Sequence, residues 1–90
     1  MRLDAEWMVR ADERILEFLL EAGPHSPTGI ENDGRVRFGS EYIGRRLRDY
    51  LVPVGLADTV GNGVYVITDQ GRSFLEGDLD ARDLPDPRNL

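Results

Sequence analysis

Apolar residues at Met8, Ala11, Ile15, Phe18, Leu19 and Ala22 recur at the three-and-four spacing of an amphipathic helix. Glu6, Asp12, Glu13, Glu17 and Glu21 mostly occupy the other side, and Gly23-Pro24 supplies the exit. Ser26-Pro27 then reads as an N-cap with proline at the first helical position. That helix must be short, Pro27 to Asn32, because Asp33-Gly34 is a turn signal. Arg35-Val36-Arg37-Phe38 alternates polar and apolar, as a short strand or extended linker does. Gly39-Ser40 breaks the chain and offers Ser40 as a second N-cap. Behind it a helix is expected over Glu41 to Leu51, with Ile43, Leu47, Tyr50 and Leu51 on one face and Pro53 beyond its end.

The period then changes. Leu56 to Val60 and Val64 to Ile67 are two β-prone runs around Gly61-Asn62-Gly63, and Asn-Gly in that setting is a strong hairpin signal. Thr68-Asp69 opens a last helix through Glu76, with Phe74, Leu75 and then Leu79 as its apolar contacts. From Gly77 the chain is acidic and interrupted by Pro85 and Pro87, with at most one further helical turn around Asp80 to Leu84. The expected organisation is therefore a domain over residues 1–76 and an acidic C-terminal tail over 77–90. Helix, short helix, capped basic helix, hairpin and helix make an α+β fold, a helix-turn-helix pair followed by a wing. The hairpin is too small to stand alone in water and must pack on the helices.

Composition narrows the function. With 90 residues and no cysteine, the domain is held by packing alone, without disulfides or thiolate chemistry. No apolar run approaches the roughly 20 residues that cross a bilayer. Carboxylates near the N-terminus argue against a signal peptide, so an intracellular protein is expected. Seventeen acids against eleven arginines give −6, with no lysine. That balance argues against nucleic acid as a partner, since much of such affinity comes from neutralising phosphates. The distribution modifies it: five arginines face two acids between Arg35 and Val52, a net +3 within a chain whose remainder is −9. Lysine-free acidity fits a protein kept soluble in concentrated salt, and equally a GC-rich genome.

Four segments carry a resemblance. They are Ala11-Asp12-Glu13-Arg14-Ile15-Leu16-Glu17-Phe18-Leu19, Tyr42-Ile43-Gly44-Arg45-Arg46-Leu47-Arg48, Gly63 to Gly71, and Phe74-Leu75-Glu76-Gly77-Asp78-Leu79-Asp80-Ala81. In this order the chain resembles the small haloarchaeal winged helix-turn-helix proteins related to the repressor of the halophage phi-H, over roughly residues 7 to 84. The resemblance implies a cytoplasmic DNA-binding transcriptional regulator, repressor-like, from a superfamily whose members usually act as dimers. The chain departs from the pattern in a longer, basic Ile30 to Gly39 connection, and in a wing tip of Gly61-Asn62-Gly63 where relatives tend to carry an arginine.

On a wheel of about 100° per residue with Ile43 and Leu47 inward, Glu41, Arg45, Arg48 and Asp49 point outward, with Tyr42 and Arg46 on the flanks. Ser40, Glu41, Tyr42 and Arg45 are then expected nearest the base edges of double-stranded DNA. Arg35, Arg37, Arg46 and Arg48 are expected at phosphates, and Asn62 at the wing tip. The plainer alternatives are a solvated helix face with a Glu41–Arg45 surface pair, Tyr42 half-buried beside Phe38, and Asn62 as a turn requirement. A protein-docking module without direct DNA binding is the alternative function. Leu3, Trp7, Met8, Leu79 and Leu84 are the expected surface of a homodimer, unless Trp7 folds back onto its own domain. His25 stands alone, and the carboxylates are scattered. No enzyme activity, metal or cofactor is therefore expected, and no small-molecule effector is identified.

Overall fold

The computed structural model describes all 90 residues. Its helices are α1 (Arg10–Ala22), α2 (Pro27–Asp33), α3 (Ser40–Arg46) and α4 (Asp69–Glu76), and its strands are β1 (Ala57–Gly61) and β2 (Val64–Ile67). α1 buries Ala11, Ile15, Leu16, Phe18 and Leu19, and ends where Gly23 takes φ 81° and donates its N–H to the Leu19 carbonyl. α2 starts as its sequence dictates, with the Ser26 hydroxyl accepting from the Gly29 N–H at 3.0 Å. α3 differs at both ends. Gly39, not Ser40, is its capping residue, with no side-chain cap. Beyond Arg46 it widens into a π-helical turn over Leu47–Leu51, in which the Val52 N–H reaches the Leu47 carbonyl. Such a turn inserts an extra residue and rotates everything after it relative to an ideal wheel.

Residues 35–38 form no strand. Val36 is buried and Phe38 half-buried, so alternation there anchors a connection. The strand partner comes from elsewhere. His25 and Tyr65 exchange both backbone hydrogen bonds, at 3.2 and 2.9 Å, which staples the α1–α2 connection to the hairpin. The hairpin pairs Ala57 with Ile67, Asp58 with Val66 and Thr59 with Tyr65, and bulges between Thr59 and Gly61. Asn62 has φ 55°, flanked by Gly61 and Gly63 at 97° and 73°, so the tip satisfies the turn requirement seen in the sequence. At the start of α4 the Thr68 hydroxyl accepts from the Gly71 N–H and donates to the Gly55 carbonyl at 2.6 Å. Position 71 must be glycine, because a methyl group there would collide with the Leu56 carbonyl oxygen and the Ile67 side chain.

Seventeen buried apolar residues form one core that runs from Trp7 to Ala81, so residues before α1 and after α4 belong to the same body. The Ala81 N–H donates to the Leu3 carbonyl at 2.9 Å, and the Arg2 guanidinium donates to the Leu75 carbonyl at 3.0 Å. Short 3₁₀ turns at Ala81–Asp83 and Pro87–Asn89 follow, each opened by an aspartate that caps it. The segment read as a tail is therefore folded against the N-terminus.

This changes the expected dimer surface. Trp7 is 6% exposed and stacks on Tyr50 with ring centroids 6.4 Å apart. Met8, Leu79 and Leu84 are half-buried against the same core, and Leu3 is half-buried where it pairs with Asp80. Trp7 folds back onto its own domain, and the other four are each partly covered within the same chain.

Candidate nucleic-acid interface

Three elements converge on one open groove of about 680 Å³. The start of α2 contributes Ser26, Pro27 and Thr28; α3 contributes Ser40, Glu41, Gly44, Arg45 and Arg48; the wing tip contributes Asn62 and Gly63. Of these, the sequence named Ser40, Glu41, Arg45, Arg48 and Asn62; it did not name Gly44 or Gly63, and Tyr42, which it did name, lies outside the lining. It missed Ser26 to Thr28, although the Ser26-Pro27 cap marked the spot, because only the fold brings the start of α2 beside α3. No large aliphatic or aromatic side chain lines the groove; Pro27 is its one apolar side chain. Small-molecule pockets are mostly apolar, whereas nucleic-acid surfaces are polar and wet, so this lining suits the second kind of partner.

The arginines divide sharply. Arg45 is exposed and has no carboxylate within ion-pair distance; the Glu41–Arg45 pair does not form, and its guanidinium lies 5.9 Å from the Tyr42 ring centre. Tyr42 is half-buried, 5.5 Å from Phe38, and so supports Arg45 from below. Arg48 is exposed but gripped by its neighbour Asp49 through two hydrogen bonds of 2.9 and 3.1 Å. Those bonds hold the Asp49 carboxyl below its usual range and raise Arg48. Such exposed pairs contribute little, so Arg48 can exchange Asp49 for a phosphate.

Arg46, expected at a phosphate, is an interior residue. It is 6% exposed, and donates to Asp12 at 2.9 and 2.8 Å and to the Trp7 carbonyl at 3.2 Å. Its guanidinium lies 3.6 Å from the Tyr50 ring centre. Burial, the largest single influence, lowers its affinity for the proton, but the hydrogen bonds and charge of Asp12, with smaller help from Tyr42 and Tyr50, together outweigh it and leave it raised. A guanidinium so enclosed has no access to DNA. The wheel placed Arg46 on a flank, and that flank faces α1, where Asp12 waits 34 positions away in sequence.

Arg35 and Arg37 lie outside the groove, on the α2–α3 connection. Arg35 is tied to Asp33 at 2.7 Å and Glu21 at 3.4 Å, over the Phe18 ring at 4.6 Å. Its hydrogen bond holds Asp33 below the usual carboxylate range. Arg37 is exposed, with no acidic partner. His25 packs edge-on to Phe18 and hydrogen-bonds the Gly23 carbonyl, so it serves the fold. No group of three or more potential metal ligands occurs, and no helix is long and apolar enough to cross a membrane.

Residues 1–86 match the family described as winged helix-turn-helix phage repressor. Among solved structures, the chain is similar to the PhiH1 repressor-like protein from Haloarcula marismortui, with a TM-score of 0.88 and 37% identity. That similarity covers 96% of this chain and 97% of the other. No curated protein sequence matches significantly.

Proposed function

The chain belongs to the winged helix-turn-helix phage repressor family, and from that premise we propose that it regulates transcription by binding duplex DNA through the α2–α3–wing groove. The observation that carries this is Arg45, an exposed cation without an acidic partner in a groove lined mainly by polar and charged side chains. With α3 in a major groove, Arg45 faces base edges and donates two hydrogen bonds to guanine, worth about 1–3 kcal/mol of discrimination. Glu41 accepts from a cytosine amine or repels misplaced phosphates. Arg48 releases Asp49 for a phosphate, and Ser40, Thr28 and Asn62 approach the strand rims.

A second function, docking on a protein partner, draws on the interior position of Arg46 and the pairing of Arg48, which together leave Arg45 as the one unpaired cation on α3. Selection from random duplexes in potassium chloride separates the two. DNA binding predicts convergence on a short motif. In that motif Arg45→Ala loses preference at one base pair, by roughly 5- to 150-fold, while Arg48→Ala weakens all duplexes nearly equally. No enrichment favours protein docking, and unchanged preference in Arg45→Ala shows that α3 faces elsewhere.

A further inference from the structure

The chain holds eleven arginines among seventeen acids. Seven of them, Arg2, Arg35, Arg46, Arg48, Arg72, Arg82 and Arg88, lie within 4.0 Å of a carboxylate. Arg45 accounts for one of the remaining four. The other three, Arg10, Arg14 and Arg37, meet in a single cleft of about 330 Å³ between α1 and the α2–α3 connection. Arg35 and Phe38 complete its walls, and no carboxylate lines it. Carboxylates line the two neighbouring clefts, Glu17 and Glu21 beside Arg14 and Arg35, and Glu13 and Glu17 beside Arg10 and Arg14.

Arg10 and Arg14 border Glu13 and Glu17 on one side of α1, yet neither forms an ion pair. Arg10 opens α1 and Arg14 lies one turn on, near the helix end whose dipole disfavours positive charge. Both side chains are exposed and support no packing. The cleft also adjoins the groove: Phe38 in its wall lies 5.5 Å from Tyr42, over which Arg45 sits. The whole body measures only 32 × 26 × 22 Å. In the complex proposed above, a duplex whose major groove, about 12 Å wide, holds α3 extends beyond so small a body, and its rim phosphates are the candidates for this cleft.

We propose that this cleft is a phosphate-binding site for the DNA backbone flanking the segment read by α3, with Arg10, Arg14 and Arg37 as its donors. The site rests on the DNA-binding function proposed above and extends the footprint onto α1. It positions the duplex and carries no sequence information. It also helps explain how a chain of net charge −6 holds DNA, since three of its four arginines outside ion pairs share this one cleft.

The test is the salt dependence of duplex affinity for the full chain, compared with Arg10→Ala/Arg14→Ala and with Arg82→Ala/Arg88→Ala. The second double variant makes the same charge change at exposed, acid-paired residues near the C-terminus. Losing two phosphate contacts reduces the steepness of log affinity against log salt by about 1.8. Over a fourfold rise in potassium chloride, the Arg10/Arg14 variant then loses about 12-fold less affinity than the unaltered chain. The base preference set by Arg45 stays intact, and the Arg82/Arg88 variant keeps the original steepness. Equal changes in both variants assign the effect to net charge and overturn the site. An unaltered chain that prefers a motif, beside an Arg10/Arg14 variant of unchanged steepness, overturns the site alone. An unaltered chain that binds no duplex overturns the site together with the function beneath it.

Discussion

Asp12→Ala lowers the stability of the fold by about 3–5 kcal/mol, because it strands the Arg46 guanidinium inside the protein. Asp12 is fully buried and accepts twice from Arg46, and its carboxylate also accepts from the Val9 N–H at 3.1 Å, closing the first turn of α1. One side chain therefore joins α1, α3 and, through Arg46 and Trp7, the N-terminal segment. A domain of 90 residues has about 5–13 kcal/mol of stability in all. The loss corresponds to a fall of roughly 12–40 °C in melting temperature. Removing both charges is gentler. Asp12→Leu combined with Arg46→Met is less destabilised than Asp12→Ala, since no ion remains unpaired and the residual defects are the Trp7 carbonyl and the Val9 N–H. Thermal melting of the single and double variants checks this. A double variant as unstable as the sum of its singles contradicts the role given to the pair.

Phe74→Ala costs a similar amount, about 3–5 kcal/mol, by a different route. Phe74 is fully buried on α4 in the core that also holds Ile15 and Leu19 of α1. Truncation removes apolar contact and leaves a cavity that the helices cannot close. The two defects separate by their response to leucine. Phe74→Leu recovers most of the loss because it restores volume, whereas Asp12→Leu does not, because Arg46 still lacks its counter-charge. Urea unfolding with an unchanged denaturant slope measures both. A loss below 1 kcal/mol for Phe74→Ala places α4 outside the cooperative core.

Elements set by local chemistry were legible in the sequence. The spacing of Ile15, Phe18 and Leu19, the Ser26-Pro27 cap, Asn62-Gly63 between β-prone runs and Thr68 before α4 each act within a few residues. Their order led to the winged helix-turn-helix fold. What escaped is non-local. The alternation at Arg35–Phe38 resembles a strand, but the hairpin's extra partner is His25, across from Tyr65. Gly71 reads as an ordinary weak helix residue until α4 is laid on Leu56. Charge was the hardest property to place. Arg46 and Arg48 lie two positions apart on one helix, yet one is interior and the other exposed, and only the distant Asp12 decides between them. Apolar residues at the two ends were read as a surface for a second chain because their contacts within the chain are distant in sequence: Trp7 stacks on Tyr50, and the ends meet in the Arg2–Leu75 and Leu3–Ala81 hydrogen bonds, more than seventy positions apart.

Amide NMR of the full chain, titrated with a duplex recovered by selection, tests the central claim most directly. The account predicts the largest shift changes at Ser26 to Thr28, Ser40 to Arg48 and Asn62 to Gly63, with the amides of residues 81 to 90 unmoved. Changes concentrated at the N- and C-terminal segments, or none along α3, contradict it.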